Sequence, residues 1–170
     1  IKFSNSIGVD HYNYKAKFDN NGSYTASLDK KANQSGLFNN SDYKISKNLL
    51  LSGGIRIDDN SRHGTQDTYR IGSSYTIENI NLYGSVATAY KNPTLYEMFG
   101  ADSYGYTGNS NLKPETSLNR ELGIKYSLNN GIINATVYET DLKDMISYGN
   151  STYSNDSNGI SKIQGADISL

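Results

Sequence analysis

Two carboxylate side chains come closest to the pattern of a catalytic pair. Glu139 and Asp141 are separated by one residue in a segment of alternating character, so both fall on one face of a predicted strand. Glycosidases use two carboxyl groups in this way, one as an acid and the other as a base or nucleophile. Nothing in the sequence places a sugar between these two groups, and carboxylates that line a water-filled channel need no catalytic role. We therefore expect that the protein is not an enzyme.

The possible metal ligands are few and poorly spaced. His11 and His63 lie far apart, without the short spacing of a metal site. The run 154–159 follows the start of a calcium loop, but its first ligand is a serine and a glycine stands where the closing glutamate belongs. Asp58, Asp59 and Asn60 could hold a cation at low affinity, but they are interpreted as solvated loop residues. The sequence therefore predicts no metal site and no bound cofactor.

Composition excludes several classes of protein. The net charge of −1 offers no basic surface for nucleic acid, and the absence of cysteine removes disulfides, thiolate nucleophiles and cysteine-based zinc sites. No apolar run approaches the roughly 18 residues that a membrane helix needs. A membrane β-barrel remains compatible with a hydrophobic content of only 35%, because its lipid-facing surface uses alternate residues.

Alternation of apolar and polar residues predicts eight strands. They run over 2–13, 35–45, 49–58, 68–77, 80–90, 117–127, 132–143 and 160–170. Short turns at 46–48, 78–79 and 128–131 alternate with long polar segments at 14–34, 59–67, 91–116 and 144–159. Such alternation is typical of an outer-membrane barrel, with short periplasmic turns and long extracellular loops. It favours an all-β, antiparallel transmembrane sheet over a soluble sandwich.

One long segment carries signals for a short helix. Asn92 and Pro93 predict an N-cap followed by proline at the first helical position, and Gly100 predicts the stop. We expect one or two helical turns near 93–99. Residues 14–34 are predicted as a long loop, with the option of a short hairpin at 23–28.

Charged residues concentrate on one face of the predicted strands. In 49–58, for example, the leucines and isoleucines share one parity while Arg56 and Asp58 share the other. In a closed sheet the charged face would line a wet interior, where opposite charges pair. The polar residues expected to face this lumen are Arg56, Asp58, Arg70, Glu121, Lys125 and Asp167.

Tyrosine is abundant near strand ends and in the long segments. One role is the interfacial belt, where rings lie among lipid headgroups, and Tyr90 is assigned to it. The alternative is contact with a solute, because flat amphipathic rings bind large ligands at a low entropic cost. The candidates for solute contact are Tyr104, Tyr106, Asn109 and Tyr148.

The segment 108–126, GNSNLKPETSLNRELGIKY, carries a longer motif. It resembles a loop of the form G-N-x-x-L-x-P-E-x-S that leads into an E-x-G-x-x-Y strand in TonB-dependent outer-membrane receptors. The matching residues are Gly108, Asn109, Leu112, Pro114, Glu115, Ser117, Glu121, Gly123 and Tyr126. Three further stretches resemble the same family, closest to cobalamin-type receptors: 55–64, 85–100 with Asn92 and Pro93, and 137–165.

This resemblance implies a function and a set of partners. Such receptors take up a scarce large solute, such as cobalamin, an iron–siderophore or haem, across the bacterial outer membrane. Energy comes from the TonB–ExbB–ExbD complex through an N-terminal plug region, and the barrel contacts outer-membrane lipid. We expect residues 1–170 to be a partial barrel domain without the plug and the remaining strands. The N-terminal sequence, IKFSNSIGVDHY, shows no signal peptide, as expected for an internal piece.

Two other interpretations stay open at this stage. Eight strands can close into a complete small barrel of structural or adhesive role, or the chain can be a soluble β-rich binding domain. Pairing between the first and last strands would support the complete barrel. Unpaired edges would contradict it.

Overall fold

Hydrogen bonds between consecutive strands organise the chain. The computed structural model describes residues 2–18, 28–102 and 104–170, without the side chains of 157 and 158. The strands are β1 (Lys2–Phe18), β2 (Leu28–Lys44), β3 (Leu49–Asn60), β4 (Gly64–Ile77), β5 (Ile80–Lys91), β6 (Glu115–Leu128), β7 (Gly131–Gly149) and β8 (Thr152–Ser169). Every pair is antiparallel, and the order in the sheet is the order in the chain. The eight predicted strands and the all-β fold are therefore confirmed.

The sheet has two free edges. In the ranges that the structure describes, β1 pairs with β2 alone and β8 with β7 alone, and no bridge joins β1 to β8. A closed eight-stranded barrel would need that bridge. The interpretation as a complete small barrel is therefore wrong for this arrangement.

Three of the four predicted long loops are largely strand. Residues 14–18 and 28–34 continue β1 and β2, while 19–27, with most of the optional hairpin at 23–28, lie outside the described residues. The predicted loop 59–67 shrinks to a turn at 61–63. At 28–34 and 59–67 alternation fails to reveal the strand because both faces are mostly polar while backbone pairing continues. At 14–18, by contrast, apolar residues do alternate with two lysines, and the segment was assigned to the loop because a polar stretch follows it.

The predicted loop 144–159 is likewise a continuation of β7 and β8. The two strands meet at a two-residue turn, Asn150–Ser151, in which both residues have positive φ, 52° and 62°. Positive φ at both positions is the geometry of a type I′ hairpin turn, which asparagine favours. By contrast, the turn at Asn129–Asn130 has no positive φ, although the sequence offered an Asn-Gly pair next to it.

The fourth long loop is confirmed, and it contains the helix α1 (Leu95–Phe99). Its N-cap is Thr94 rather than the predicted Asn92. Thr94 and Glu97 form a capping box, with Glu97 N donating to Thr94 Oγ1 at 3.1 Å and Thr94 N donating to Glu97 Oε2 at 2.7 Å. Gly100 ends the helix as expected. Within the described ranges, no helix is long and apolar enough to cross a membrane.

The two faces of the sheet differ in chemistry. On one face large apolar side chains stay uncovered: Val9 and Ile168 are each 78% exposed, and Ile71 and Leu122 are each 64% exposed. Exposed apolar area of this extent is unfavourable in water and is typical of a surface that contacts lipid. The small buried apolar set lies elsewhere, around α1 and its loop: Leu28, Met98, Tyr106 and Leu112.

The strand register places the residues predicted to face a lumen on one side of the sheet. Directly paired residues point to the same side, so Arg70 shares a face with Gly54 and hence with Arg56 in the same strand. Continuing across β5, β6 and β7 brings Glu121, Lys125 and Asp167 to that side as well. This polar face is called the inner face below.

Aromatic rings on the inner face lie over glycines of the neighbouring strand. In three pairs a Cβ added to the glycine would overlap the ring: Phe38 with Gly8, Tyr83 with Gly123, and Tyr138 with Gly165. The missing side chain lets the ring lie flat on the sheet, an arrangement that covers an otherwise bare backbone. Gly123 of the motif is therefore a seat for Tyr83, whose hydroxyl reaches Asn134 at 2.9 Å in the next strand.

Adding a methyl group at Gly123 tests whether this glycine makes room for the Tyr83 ring. We expect Gly123→Ala, in the protein expressed from its complete reading frame, to lower the free energy of unfolding by about 1–3 kcal/mol, since the ring must leave its seat. Denaturant unfolding provides the measurement. Gly131→Ala is the control, because a Cβ there meets nothing within 4 Å. Equal stability of both variants would contradict the prediction, whereas adding Tyr83→Ser should relieve the loss.

Candidate functional site

The loop 92–114 folds inward across one end of the sheet, the end at which β1, β2, β7 and β8 extend beyond the central strands. Its helix α1 contacts β1, β2 and β8, so the loop bridges the two halves of the sheet. Met98 of α1 and Leu28 at the start of β2 are both buried in this contact, at 5% and 4% exposed. The loop therefore forms a packed structure over the inner face.

A row of aromatic rings, here called the aromatic arch, spans the same end. It consists of Phe18, Tyr96, Tyr106, Tyr148 and Tyr153. Ring centroids are 5.9 Å apart for Phe18 and Tyr96 and 5.0 Å apart for the stacked pair Tyr96 and Tyr106. Tyr106 also lies 6.0 Å from Tyr148 and 5.8 Å from Tyr153. These separations suit favourable aromatic contacts, so the arch links β1 to the β7–β8 hairpin through the loop.

Tyr106 is the centre of the arch. It is 5% exposed, and its hydroxyl donates to the Tyr96 carbonyl oxygen at 2.6 Å. Its own amide donates to the Asp102 carboxylate at 3.0 Å. Burial is the main cause that raises the pKa of Tyr106 to about 12, with the neighbouring tyrosines adding to it. The side chain therefore stays neutral and fixed at physiological pH.

The Gly108–Asn109 pair of the motif clamps the loop. A Cβ at Gly108 would collide with the backbone of residues 98 and 99, so glycine permits close approach to α1. Asn109 donates its amide to the Glu97 carbonyl at 2.9 Å and its side chain to the Tyr153 carbonyl at 2.9 Å. One asparagine thus ties α1 to β8.

The Pro114–Glu115 end of the motif fixes a bulge in β7. The pairing of β7 with β8 shifts between Lys143 and Met145, where Asp144 has a φ of 54°. Glu115 Oε1 accepts a hydrogen bond from the Ile146 amide at 2.7 Å. Asn155 donates to both the Lys113 and Asp144 carbonyls, at 2.9 and 2.7 Å. The motif is therefore a set of contacts that positions the loop on the hairpin.

An ion network lies on the inner wall below the loop. Arg56 binds two carboxylates, with Nη1 and Nη2 donating to Asp10 at 2.8 and 2.9 Å, and Nε and Nη2 donating to Asp58 at 2.7 and 2.6 Å. Asp58 is only 1% exposed. All three side chains converge above Gly36, where a Cβ would overlap them. The predicted pairing of Arg56 with Asp58 is confirmed, and Asp10 is an additional partner.

Gln34 connects β3 and β5 of the inner wall to the loop. Its side-chain nitrogen donates to the Tyr90 hydroxyl at 3.1 Å, while its oxygen accepts from Asn60 at 3.1 Å and from Asn92 at 3.2 Å. Tyr90 is thus held among polar groups of the inner wall, and its assignment to the lipid belt is wrong. Asn60 in turn accepts hydrogen bonds from the amides of the 61–63 turn.

A cavity of about 680 Å³ lies between the loop and the inner wall. Its lining combines polar groups of the network with ring faces: Tyr14, Gln34, Arg56, Asp58, Asn60, Arg62, His63, Tyr90, Asn92 and Tyr96. Within the described part of the chain, Asn92 Oδ1 is buried and accepts no hydrogen bond. Burial lowers the pKa of His63, which keeps its imidazole neutral at pH 7. The cavity offers a free acceptor, a neutral imidazole and aromatic surface to a solute.

The predicted solute-contact residues divide into two pairs. Tyr104 is 77% exposed and Tyr148 is 59% exposed, so their rings are accessible at the mouth. Tyr106 and Asn109 instead use their side chains to hold the loop. Solute contact by these four residues stays a prediction. Sequence reasoning missed Gln34, because a polar residue in a polar stretch has no distinguishing pattern, and it interpreted Asn60 only as a solvated loop residue.

The predicted lumen residues also differ in their surroundings. Glu121 accepts a hydrogen bond from Ser85 at 3.0 Å, and Lys125 Nζ lies 5.3 Å from the Tyr83 ring centroid. Arg70 and Asp167 are exposed on the inner face. Among the described residues, Arg70 forms no ion pair, in contrast to Arg56.

Glu139 and Asp141 lie on the apolar face rather than in the lumen. Both carboxylates pair with Arg120, at 3.0 and 2.8 Å, and with Lys162, at 3.0 and 3.5 Å. The expectation that they line a water-filled interior is therefore wrong, since their register matches that of Leu118 and Leu122. No group of three or more metal-binding side chains occurs in the described ranges.

Comparison with known proteins shows the family to which this chain belongs. A family model described as "TonB dependent receptor-like, beta-barrel" matches residues 2–170. The vitamin B12 transporter BtuB of Photobacterium profundum is 30% identical over 116 residues, covering 68% of this chain and 18% of that protein. The ferric enterobactin receptor of Pseudomonas aeruginosa is 30% identical over 138 residues, covering 72% of this chain and 18% of that receptor. The chain therefore belongs to the TonB-dependent receptor family and forms part of its β-barrel.

Solved structures show the same fold. The siderophore receptor PirA from Pseudomonas aeruginosa superposes with a TM-score of 0.77 at 22% identity, over 95% of this chain and 37% of that chain. The chain spans about a fifth of the length of the curated relatives named above. Its family consists of receptors and transporters, and its relatives are outer-membrane proteins.

Loss of the central cation of the ion network should destabilise the fold. In the protein expressed from its complete reading frame, Arg56→Met leaves the buried Asp58 without its counter-charge, at a cost on the order of 3 kcal/mol. Denaturant unfolding measures this cost. Arg70→Met is the matched control on the same face, and we expect a change within about 0.5 kcal/mol for it. A similar loss in both variants would contradict the network's role.

High pH should release the loop. Because folding raises the pKa of Tyr106 from 10.0 to about 12, its contribution to stability is complete below pH 10 and is lost as the pH rises through about 12. We expect tyrosinate absorbance and protease cleavage of 92–114 to rise together in this range. Tyr106→Phe should shift the cleavage to higher pH, whereas Tyr104→Phe should not. Identical profiles for all three proteins would exclude Tyr106 as the titrating group.

Proposed function

We propose that the chain forms part of the wall and mouth of a larger outer-membrane receptor that imports a scarce large solute with energy from TonB. The observation that carries this proposal is the combination of an open, two-faced sheet with a loop packed over its polar face. An apolar outer face suits lipid, and a polar inner face suits a water-filled lumen. Membership of the receptor family supports this proposed function.

The solute classes follow from the relatives. Cobalamin, an iron–siderophore and haem are the candidates, and the cavity beneath the loop, together with Tyr104 and Tyr148 at the mouth, is the contact region that we propose. Its volume of about 680 Å³ lies in the usual range for small-molecule sites. In this proposal the chain acts without enzymatic activity, in the bacterial outer membrane.

The remaining parts of the receptor complete the proposal. Residues 1–170 are a partial barrel domain, and the free edges of β1 and β8 pair with further strands of the same protein. A plug region fills the lumen and connects the receptor to the TonB–ExbB–ExbD complex. The inner-face residues Arg70 and Asp167 are exposed in the arrangement described above and are available to such a plug.

The two alternative functions have weaker support. A complete eight-stranded barrel conflicts with the free edges in the described chain. A soluble β-rich binding domain conflicts with the apolar face, on which Ile168 and Val9 are largely exposed. Neither alternative accounts for the match to receptor barrels over residues 2–170.

Uptake in whole cells tests the proposal. We expect cells that express the complete reading frame to accumulate at least one of three labelled solutes, namely cobalamin, an iron(III)–siderophore complex or haem. Accumulation should disappear in an otherwise identical strain without TonB, and a strain that carries the empty vector is the second control. Uptake that persists without TonB, or no uptake of any of the three, would overturn the proposed function.

A further inference from the structure

Two cationic side chains lie over one aromatic ring beside the cavity. Lys30 Nζ is 5.2 Å from the centroid of the Phe99 ring, and Arg62 Cζ is 5.3 Å from the same centroid. These separations are within the range of cation–π attraction. The cations come from β2 and from the 61–63 turn, while the ring ends α1. Three separate elements thus converge at this point.

The arrangement also fixes the direction of Arg62. Its Nε and Nη2 both donate to the Lys31 carbonyl oxygen, at 3.1 and 2.9 Å. A guanidinium held by two hydrogen bonds and a ring has lost most of its rotational freedom before a ligand arrives. Pre-ordering of this kind lowers the entropic cost of binding.

The charges of these two cations are not neutralised by the protein. In the part of the chain that the structure describes, neither Lys30 nor Arg62 forms an ion pair, and both side chains are exposed. Arg56, deeper in the cavity, is already held by Asp10 and Asp58. Two cations without an ion pair therefore lie next to Phe99, at the side of the cavity that Arg62 lines.

Aromatic surface lies close to these charges. Arg62 and Tyr96 line the same cavity, and Tyr96 belongs to the aromatic arch. A ligand with planar rings can stack on the arch while its negative charge faces the two cations. The buried Asn92 Oδ1 in the same cavity adds an acceptor for an N–H or O–H group of the ligand.

We propose that Lys30 and Arg62, mounted on Phe99, form a cationic clamp that makes the receptor select anionic, ring-bearing solutes over uncharged solutes of similar size. The clamp is a determinant of specificity that acts at the entrance. This inference rests on the proposed function, because it names the charge class of the solute that the cavity accepts.

Binding of two iron complexes tests the clamp. The probes are an iron(III) tris-catecholate, which is anionic, and an iron(III) tris-hydroxamate, which is uncharged and similar in size. The protein is purified in detergent from the complete reading frame, and each affinity is measured at low and at high salt. We expect tighter binding of the tris-catecholate, with an advantage that decreases as salt screens the charges.

Variants that remove the charge of Lys30 or Arg62 test whether these two residues cause the preference for the anionic complex. Lys30→Gln and Arg62→Gln should each weaken binding of the tris-catecholate about threefold to fivefold, and the double variant about tenfold or more. Binding of the tris-hydroxamate should stay unchanged. Lys47→Gln is the matched control, because Lys47 is an exposed lysine in the short turn at the opposite end of the sheet. Heat-modifiable migration on a gel confirms that each variant is folded.

The outcomes separate the two proposals. If cells take up the tris-hydroxamate or cobalamin through TonB but neither bind nor import the tris-catecholate, the clamp is overturned and the proposed function stands. Equal losses for both iron complexes in the Gln variants would also overturn the clamp, since they would indicate a structural role. Absence of TonB-dependent uptake for all probes would overturn both proposals.

Discussion

Backbone pairing in a fixed register is the constraint on which the other features of this protein depend. Side chains alternate across a strand, so a shift of one residue would move each one to the opposite face. The register from β1 to β8 keeps Ile71 and Leu122 on the apolar face and Arg56 and Glu121 on the inner face. The ion network, the glycine seats and the cavity all require that alignment, because each one joins side chains from at least two strands.

The loop 92–114 is the least regular part of the chain and also one of its most tightly connected parts. Gly108 approaches the α1 backbone, Asn109 bonds to β8, and Glu115 holds the bulge in β7. These contacts explain why a motif so specific in sequence lies outside the cavity lining. The motif holds the loop in place, whereas the cavity lining comes from β1 to β5, the 61–63 turn and residues 92–96.

The sequence predicted the strand number, the segregation of charged residues to one face and the long loop with its short helix because each depends on a local pattern. Alternation reveals a strand wherever one face is apolar, and it located Leu49–Asp58 and Ile80–Tyr90 well. It was not followed through 14–18, where Tyr14, Ala16 and Phe18 still alternate with two lysines ahead of a polar stretch, and it is interrupted at 144–149 by the bulge at Asp144. Tyr90 was placed with the lipid-facing residues by its parity, but Gln34 and Asn92, which approach it in the fold, are distant in sequence. The same limit applies to Lys30 and Arg62, since nothing local indicates that both will meet Phe99.

The aromatic arch joins parts of the chain that lie near opposite edges of an open sheet. Phe18 ends β1, Tyr148 and Tyr153 belong to the last hairpin, and Tyr96 and Tyr106 complete the connection between them. In geometric terms the strands form an arc and the arch is its chord. For an arc of fixed length, the length of the chord and the curvature of the arc change together, so the ring contacts of the arch are coupled to the curvature of this section of the sheet. A different conformation of the loop that carries Tyr96 and Tyr106 would therefore be accompanied by a different curvature of the sheet that it spans.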